Sequence, residues 1–181
     1  MAREREALAS LNRWSTSMAV KTQSDCLLCR RLAQIEAGTN PYFVAELQSG
    51  YAVIGDHQLF PGYSLLLCRH HAPELHLLDV RTRSTFLEEM AILGEAVFRA
   101  FRPVKLNYEL LGNSIQHMHW HIFPRHEDDP CPNGPVWMLD QGTLTAETTR
   151  PSEAELLRLK TALLEELTGL AKGRILRDFT G

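Results

Sequence analysis

Three histidines alternate with apolar residues in the segment His117-Met118-His119-Trp120-His121-Ile122-Phe123. In a β-strand successive side chains point to opposite faces, so the three imidazoles would share one face of the strand while the apolar residues pack into the core. Aligned imidazoles could bind a metal ion, since neutral imidazole is a common zinc ligand. They could also support nucleophilic catalysis, in which one ring nitrogen attacks phosphorus or a carbonyl carbon and its neighbours move protons. The alternative is a row of surface histidines, which is uncommon at three strictly alternating positions.

A second candidate is the pair Cys26 and Cys29, spaced as Cys-x-x-Cys. A lone pair of this kind is compatible with a redox site, half of a zinc site or two reduced thiols, and no thioredoxin-like strand precedes it. The other two cysteines, Cys68 and Cys131, are predicted to be structural. Four cysteines in 181 residues are too few for a disulfide scaffold.

The elements that would position these residues follow from the spacing of apolar residues and from the turn residues between them. The turn-prone Gly112-Asn113-Ser114 indicates a hairpin before the histidines, Pro124 is expected to end their strand, and residues 126–151 are predicted to be a loop. Helices are predicted at Cys26–Glu36, Thr85–Phe101 and Glu153–Leu170, and strands at Phe43–Leu47, Tyr51–Ile54, Ser64–Cys68, Lys105–Leu111 and Ile115–Phe123. This order predicts an α+β fold with a mainly antiparallel sheet and packed helices.

The length, composition and charge of the chain limit the classes of protein to which it can belong. The chain has 181 residues, which predicts one domain, and 44% of them are hydrophobic, which argues against wholesale disorder. The net charge is −3, so there is no basic surface typical of nucleic-acid binding. No apolar run approaches the length of a membrane span, and the first ten residues lack the apolar stretch of a secretory signal. We therefore expect a cytoplasmic protein with neither a nucleic-acid partner nor a membrane partner.

The segment from His117 to Phe123, with the Pro124-Arg125 that follows, resembles the motif of the histidine triad (HIT) family of nucleotide hydrolases and transferases. Upstream, the stretch from Asp56 through Phe60-Pro61-Gly62-Tyr63 to Arg69-His70-His71 is similar to the family's nucleoside loop and following strand. The resemblance implies a histidine-triad-like fold. It divides the chain into an N-terminal arm at residues 1–24, a catalytic core at 25–126, and a C-terminal loop and helix at 127–181 packed on the same domain.

The resemblance also implies a role for each residue of the motif. His119 would be the nucleophile on the α-phosphate of a nucleotide, and water would hydrolyse the resulting nucleotidyl-histidine. His117 and His121 would orient it and assist the leaving group. Ser114 would be the fourth catalytic residue. Together with Asn113 and Asn107 it would also donate hydrogen bonds to phosphate oxygens. Asp56 would bind the ribose hydroxyls. Neutral donors suit the spreading phosphate charge, and a carboxylate suits two hydroxyls.

Some members of the family bind a structural zinc ion through a cysteine pair and two histidines. The matching residues are Cys26, Cys29, His71 and His117, with His70 as the neighbouring alternative to His71, and two sulfurs with two imidazoles suit tetrahedral zinc. The resemblance implies no organic cofactor. It further implies a nucleotide substrate, either a dinucleoside polyphosphate such as diadenosine tetraphosphate or a nucleoside phosphoramidate. Because dimerisation is common in the family, we also expect a homodimer.

Two positions depart from the family pattern. Gly112-Asn113-Ser114 stands where Gly-Gln-Ser or Gly-Gln-Thr is frequent, which affects the preference for the leaving group. The third triad position is His121 and not glutamine, which favours hydrolysis over transfer to a second substrate. Two other functions stay open, namely a zinc-dependent hydrolase with His117, His119 and His121 as ligands, and a nucleotide-binding protein with little turnover.

The remaining candidates have simpler interpretations. His57, His76 and His126 are predicted to be solvated surface residues, as are the pairs Glu88-Glu89 and Glu165-Glu166 on polar helix faces. Trp137 is predicted either to cover an edge of the core or to stack on a base.

Overall fold

The computed structural model describes residues 25–180, so the arm predicted at residues 1–24 lies outside the described part of the chain. In chain order the elements are helix α1 (Leu27–Glu36), strands β1 (Phe43–Glu46), β2 (Gly50–Ile54) and β3 (Ser64–Cys68), helix α2 (Val80–Phe101), strands β4 (Lys105–Glu109) and β5 (His119–Arg125), helices α3 (Gln141–Leu144) and α4 (Glu153–Ala171), and strand β6 (Arg177–Asp178). Single 3₁₀ turns lie at Leu75–Leu77, Val136–Met138 and Glu147–Thr149.

The six strands form one sheet in the order β4-β5-β3-β2-β1-β6, and every neighbouring pair is antiparallel. The predicted α+β fold with an antiparallel sheet is therefore confirmed. Strand β5, which carries the second and third triad histidines, lies inside the sheet between β4 and β3. Its backbone is held on both sides, which fixes the direction of its side chains.

The sheet is covered on both faces. Helices α2 and α4 pack on one face over a core that includes Leu66, Ile122 and Leu163, each completely buried. Helix α1 packs on the other face, where Leu28 and Leu67 belong to a smaller apolar cluster. The alternation of apolar residues along the strands supplies both layers, because odd and even positions face different helices.

Helix α2 begins at Val80, five residues before the predicted start at Thr85. The side chain of Asp79 caps it by accepting a hydrogen bond from the Thr82 backbone N–H at 3.0 Å. Val80 is the one apolar residue between positions 80 and 85, so this first turn lacks the apolar periodicity that predicts a start at Thr85. At the start of α4, the Ser152 side chain caps the helix by accepting a hydrogen bond from the Glu155 N–H at 3.3 Å, while the Glu155 carboxylate accepts from Arg158.

Two predictions about β5 were wrong. The strand begins at His119 and not at Ile115, because Met118 N donates to the Ala72 carbonyl, outside the β4–β5 ladder. It also continues through Pro124 to Arg125. Pro124 pairs with Leu106 of β4. On the other side of β5, the pairing with β3 stops at Ile122, which lies opposite Ser64. Pro124 lacks an N–H, and this position faces the side where β3 is no longer paired, so the sheet loses no hydrogen bond.

The prediction that Glu89 is solvated was also wrong. Its side chain is completely buried on α2, and its carboxylate accepts hydrogen bonds from the backbone N–H groups of Gln48 at 2.8 Å and Ser49 at 3.0 Å, and from the Ser49 hydroxyl. These donors belong to the turn between β1 and β2, where the N–H and hydroxyl of Ser49 are buried and need a partner. The carboxylate therefore completes that turn.

Within residues 25–180, no helix is both long enough and apolar enough to cross a lipid bilayer.

Candidate active site and candidate metal centre

The triad segment places its side chains on the two faces of the sheet as the alternation predicts. Leu67 and Leu65 of β3 lie directly opposite His119 and His121, and these residues share the face that α1 covers. Met118 and Ile122 are buried in the core on the opposite face, and Trp120 packs against that core. The two histidines of β5 therefore point away from α2 and α4.

His117 lies just before β5 and faces the cysteine pair. Its ring atom Nδ1 is 3.5 Å from the sulfur of Cys26 and 3.5 Å from the sulfur of Cys29. Nδ1 of His71 lies 3.4 Å from the Cys29 sulfur. One ligand atom from each of these four residues lies within 4.8 Å of the others, which makes them a candidate metal centre.

The geometry of this cluster fits zinc. Bonds of about 2.3 Å to sulfur and about 2.05 Å to nitrogen at the tetrahedral angle separate a sulfur from a nitrogen by about 3.5 Å, close to the distances observed. Nε2 of His117 lies 2.8 Å from the Cys68 carbonyl oxygen, which can only accept. Nε2 therefore carries the ring proton, and the lone pair of Nδ1 faces the sulfurs, as a metal ligand requires.

A backbone carbonyl group two residues earlier in the chain orients the ring of His119. Its Nδ1 lies 2.6 Å from the carbonyl oxygen of His117. Because that oxygen can only accept, Nδ1 carries the proton and Nε2 carries a lone pair. The residue is 5% exposed, and burial lowers its pKa. His119 thus presents an unprotonated nitrogen, the form that a nucleophile needs.

His121 lies beside His119, with the two ring centroids 4.7 Å apart and the ring planes at 65°. Its Nδ1 lies 2.6 Å from the hydroxyl oxygen of Tyr63. Burial lowers the pKa of His121 to about 3, with a smaller contribution from His119. The ring is therefore neutral at pH 7.

Both rings line a cavity of about 310 Å³. Its wall is mainly apolar and aromatic and includes Phe60, Phe123 and Trp137. Asp56 also lines the cavity, and its carboxylate forms an ion pair with Arg31 of α1. A site of this kind, with few polar groups in an apolar wall, is typical of small-molecule binding.

One wall of this cavity comes from residues predicted to lie outside the catalytic core: Trp137, Gln141, Leu144 and Thr145. The Trp137 ring is 40% exposed and stands edge-on to His121, with centroids 5.4 Å apart, and its indole N–H donates to Glu109. His57, predicted to be solvated, also lines the cavity, and its Nδ1 lies 3.2 Å from the Ala146 carbonyl oxygen. The one sequence signal for this wall is Trp137, which is predicted either to cover an edge of the core or to stack on a base.

Three predicted substrate-binding residues do not line the cavity. Asn113 and Ser114 are exposed on the β4–β5 connection, from which Ile115 alone among residues 110–118 reaches the cavity wall. The side-chain oxygen of Asn107 accepts a hydrogen bond from Arg125. Arg125 is buried and forms an ion pair with Asp129 at 2.6 Å, so Asn107 supports this pair.

The three imidazoles do not converge on one point. Nδ1 of His117 faces sulfur atoms, Nδ1 of His119 faces a carbonyl oxygen and Nδ1 of His121 faces a hydroxyl group. Of the three, His117 alone belongs to a group within residues 25–180 that could hold a metal ion. The arrangement therefore does not favour a zinc-dependent hydrolase built on the triad.

Known proteins share this fold and this domain. The family model of the HIT domain matches residues 42–128. A histidine triad protein from Bradyrhizobium japonicum is 23% identical, with a TM-score of 0.62 over 69% of this chain and 89% of that one. A zinc-bound histidine triad family protein from Mycobacterium smegmatis is 19% identical, with a TM-score of 0.54 over 82% of this chain and 99% of that one. The diadenosine triphosphate hydrolase of Plasmodium falciparum is 13% identical, with a TM-score of 0.54 over 71% of this chain and 78% of that one. No curated protein sequence matches the chain. Residues 42–128 therefore match the HIT domain, the domain of the histidine triad family, and the structures that share the fold are histidine triad proteins.

Proposed function

We propose that this protein is a nucleotide hydrolase that acts at the α-phosphorus through a nucleotidyl intermediate on His119. The observation that carries the proposal is the hydrogen bond of 2.6 Å from His119 Nδ1 to the His117 carbonyl oxygen. It leaves the Nε2 lone pair of His119 as the nucleophile at a cavity of about 310 Å³.

The reaction would proceed in two displacements. In the first, Nε2 of His119 forms a bond to the α-phosphorus, the bond from phosphorus to the leaving group breaks, and the leaving group takes up a proton. In the second, water attacks the same phosphorus and loses a proton, and the phosphorus–nitrogen bond breaks with its electron pair returning to Nε2. The products are a nucleoside 5′-monophosphate, the leaving group and the free enzyme.

The family and the cavity support the proposed substrate class. Nucleotide hydrolases and transferases occur in the histidine triad family, and one structural neighbour is a diadenosine triphosphate hydrolase. The substrates proposed here are dinucleoside polyphosphates and nucleoside phosphoramidates. The aromatic wall suits a planar base. Asp56 would bind the ribose hydroxyls, while Asn113 and Ser114 would reach phosphate oxygens from the exposed β4–β5 connection.

We further propose that Cys26, Cys29, His71 and His117 hold a structural zinc ion. The support is the tetrahedral spacing of the four donor atoms and the proton of His117 on Nε2. The ion would tie α1 to the segments that follow β3 and precede β5. It would supply no chemistry to the reaction.

The test is the substitution His119→Ala, with His76→Ala as the control because His76 is exposed on a 3₁₀ turn. Loss of the nucleophile should lower kcat by about 10³-fold or more on adenosine 5′-phosphoramidate or diadenosine tetraphosphate, while the control keeps wild-type rates. Both variants should still bind AMP.

Hydrolysis by the His119→Ala variant at near wild-type rates would overturn the proposal. If the wild-type protein binds AMP but cleaves neither substrate, it is the nucleotide-binding protein with little turnover.

A further inference from the structure

Tyr63 lies directly before β3 and is held rigidly. Its N–H donates to the Phe60 carbonyl at 2.9 Å, and its own carbonyl oxygen accepts from Gly55 N at 2.8 Å and from the Gln58 side chain at 3.0 Å. Its ring stacks on Phe123 with centroids 4.1 Å apart and planes at 4°. A Cβ atom at Gly55 would lie 2.2 Å from the Tyr63 ring, so glycine is required there to make room for it.

The Tyr63 hydroxyl has a single hydrogen-bond partner in the described part of the chain. Among residues 25–180 the only polar atom within hydrogen-bond distance of it is Nδ1 of His121, at 2.6 Å. If the hydroxyl donates, its proton has an acceptor; if Nδ1 donated instead, the hydroxyl proton would have no acceptor among the described residues. Burial raises the pKa of the Tyr63 hydroxyl, and the charges of Asp56 and Glu109 raise it further, so the proton stays on oxygen.

Glu109 does not compete for the same ring. It lies opposite His121 in the β4–β5 pairing, but its carboxylate accepts the Trp137 indole N–H. The Tyr63 hydroxyl is therefore what distinguishes the two nitrogens of the His121 ring.

We propose that Tyr63 is a positioning residue that keeps the proton of neutral His121 on Nε2. The two adjacent rings then offer complementary groups, a lone pair at Nε2 of His119 and an N–H donor at Nε2 of His121. This inference rests on the proposed function, since the donor is useful where a phosphoryl or leaving-group oxygen gains negative charge. With the proton on Nδ1, His121 would instead present a second lone pair to the phosphate oxygens and repel them.

The test begins with the position of the proton, which can be read without any substrate. In protein labelled with ¹⁵N at histidine, long-range ¹H–¹⁵N spectra near pH 7 distinguish protonated from unprotonated ring nitrogens, and His121→Gln identifies the His121 signals. Wild type and the control Tyr42→Phe should show His121 protonated on Nε2. Tyr63→Phe, which keeps the ring stacked on Phe123, should show a mixture of the two tautomers or the Nδ1-protonated form.

Kinetics supply the second measurement. On adenosine 5′-phosphoramidate, Tyr63→Phe should lower kcat by about tenfold and change KM by less than about twofold, since the lost group acts on the transition state. Tyr42→Phe should leave both constants unchanged.

A wild-type His121 protonated on Nδ1 overturns the proposal, and so does an unchanged tautomer in Tyr63→Phe, whatever its rate. A changed tautomer with an unchanged kcat also overturns it. If the wild-type protein lacks turnover altogether, the proposed function fails, and the spectra still decide whether Tyr63 places the proton.

Discussion

His117 serves the site through two different atoms, its ring nitrogen Nδ1 and its backbone carbonyl oxygen. The ring faces the sulfurs of Cys26 and Cys29, and the carbonyl accepts the proton of His119. The resemblance implies that His117 orients the nucleophile, and the structure shows that the group in contact with His119 is the peptide carbonyl. Replacing the His117 side chain therefore removes a candidate metal ligand but not the hydrogen-bond acceptor.

We predict that removing the Asp56 carboxylate abolishes the preference for ribose over deoxyribose. Asp56→Ala should weaken AMP binding by about ten- to a hundredfold, the value of hydrogen bonds from two hydroxyls to a charged acceptor, and leave inorganic phosphate binding nearly unchanged. Titration with AMP and with 2′-deoxy-AMP measures this, and the variant should bind both equally. The matched control is Arg31→Ala, which breaks the ion pair but keeps the carboxylate. If Asp56→Ala still prefers the ribose form, the assignment to ribose is wrong.

The pKa of His121 predicts how stability depends on pH. It lies near 3 in the folded protein against 6.5 for an ordinary histidine, so between these values the unfolded chain binds more protons. The contribution of His121 to the free energy of unfolding is therefore fully present above about pH 6.5 and is lost as the pH drops towards 3. Thermal melts at about pH 7 and about pH 4.5 should show a smaller acid-induced drop in Tm for His121→Gln than for wild type. Equal drops would show that His121 is not buried in its neutral form.

The part of the site that follows a strand pattern could be predicted from the sequence, and the part built by distant loops could not. Strict alternation indicates that His119 and His121 share a face, because a strand repeats every two residues. The pairing of Tyr63 with His121 joins positions 58 residues apart and depends on the register of β3 and β5. Single-sequence patterns carry no register information, so this contact was not predictable.

At the level of elements, α1 is joined to the sheet by a small apolar cluster and by the candidate metal centre. The double substitution of Cys26 and Cys29 by serine should abolish zinc binding and lower Tm, because a structural metal contributes folding free energy. Atomic emission on protein purified without chelator should find one zinc ion per chain in wild type and none in the variant. Cys131→Ser, outside the cluster, should keep both the metal and the Tm. Fresh wild-type protein without zinc and with reactive thiols would rule out the site.

The segment from 126 to 151 illustrates why an element can escape prediction. It contains two 3₁₀ turns and the four-residue helix α3, all too short to show a period. It is held by particular contacts, among them the Arg125–Asp129 ion pair and the hydrogen bond from Gln58 N to the Thr149 carbonyl at 2.7 Å. A loop was therefore predicted where the structure has an ordered wall of the cavity.

In the whole molecule, one face of the sheet packs the main core and the other face carries the candidate site. The face under α2 and α4 supplies the larger apolar core, and the face under α1 carries the triad rings, the candidate metal centre and the cavity. Because successive residues of a strand face opposite sides of the sheet, core residues and site residues alternate along β5. The homodimer and the cytoplasmic location stay predictions.

The proposed hydrolysis passes through two displacements at one phosphorus, with His119 as the first nucleophile. The most direct measurement is the stereochemical course of hydrolysis at a chiral α-phosphorus, using one diastereomer of a dinucleoside polyphosphate with sulfur on the α-phosphorus, in ¹⁸O-labelled water. Unlike trapping of the intermediate, it does not require the intermediate to accumulate. Two in-line displacements predict net retention of configuration. Net inversion would mean that water attacks the substrate directly, and it would contradict the account.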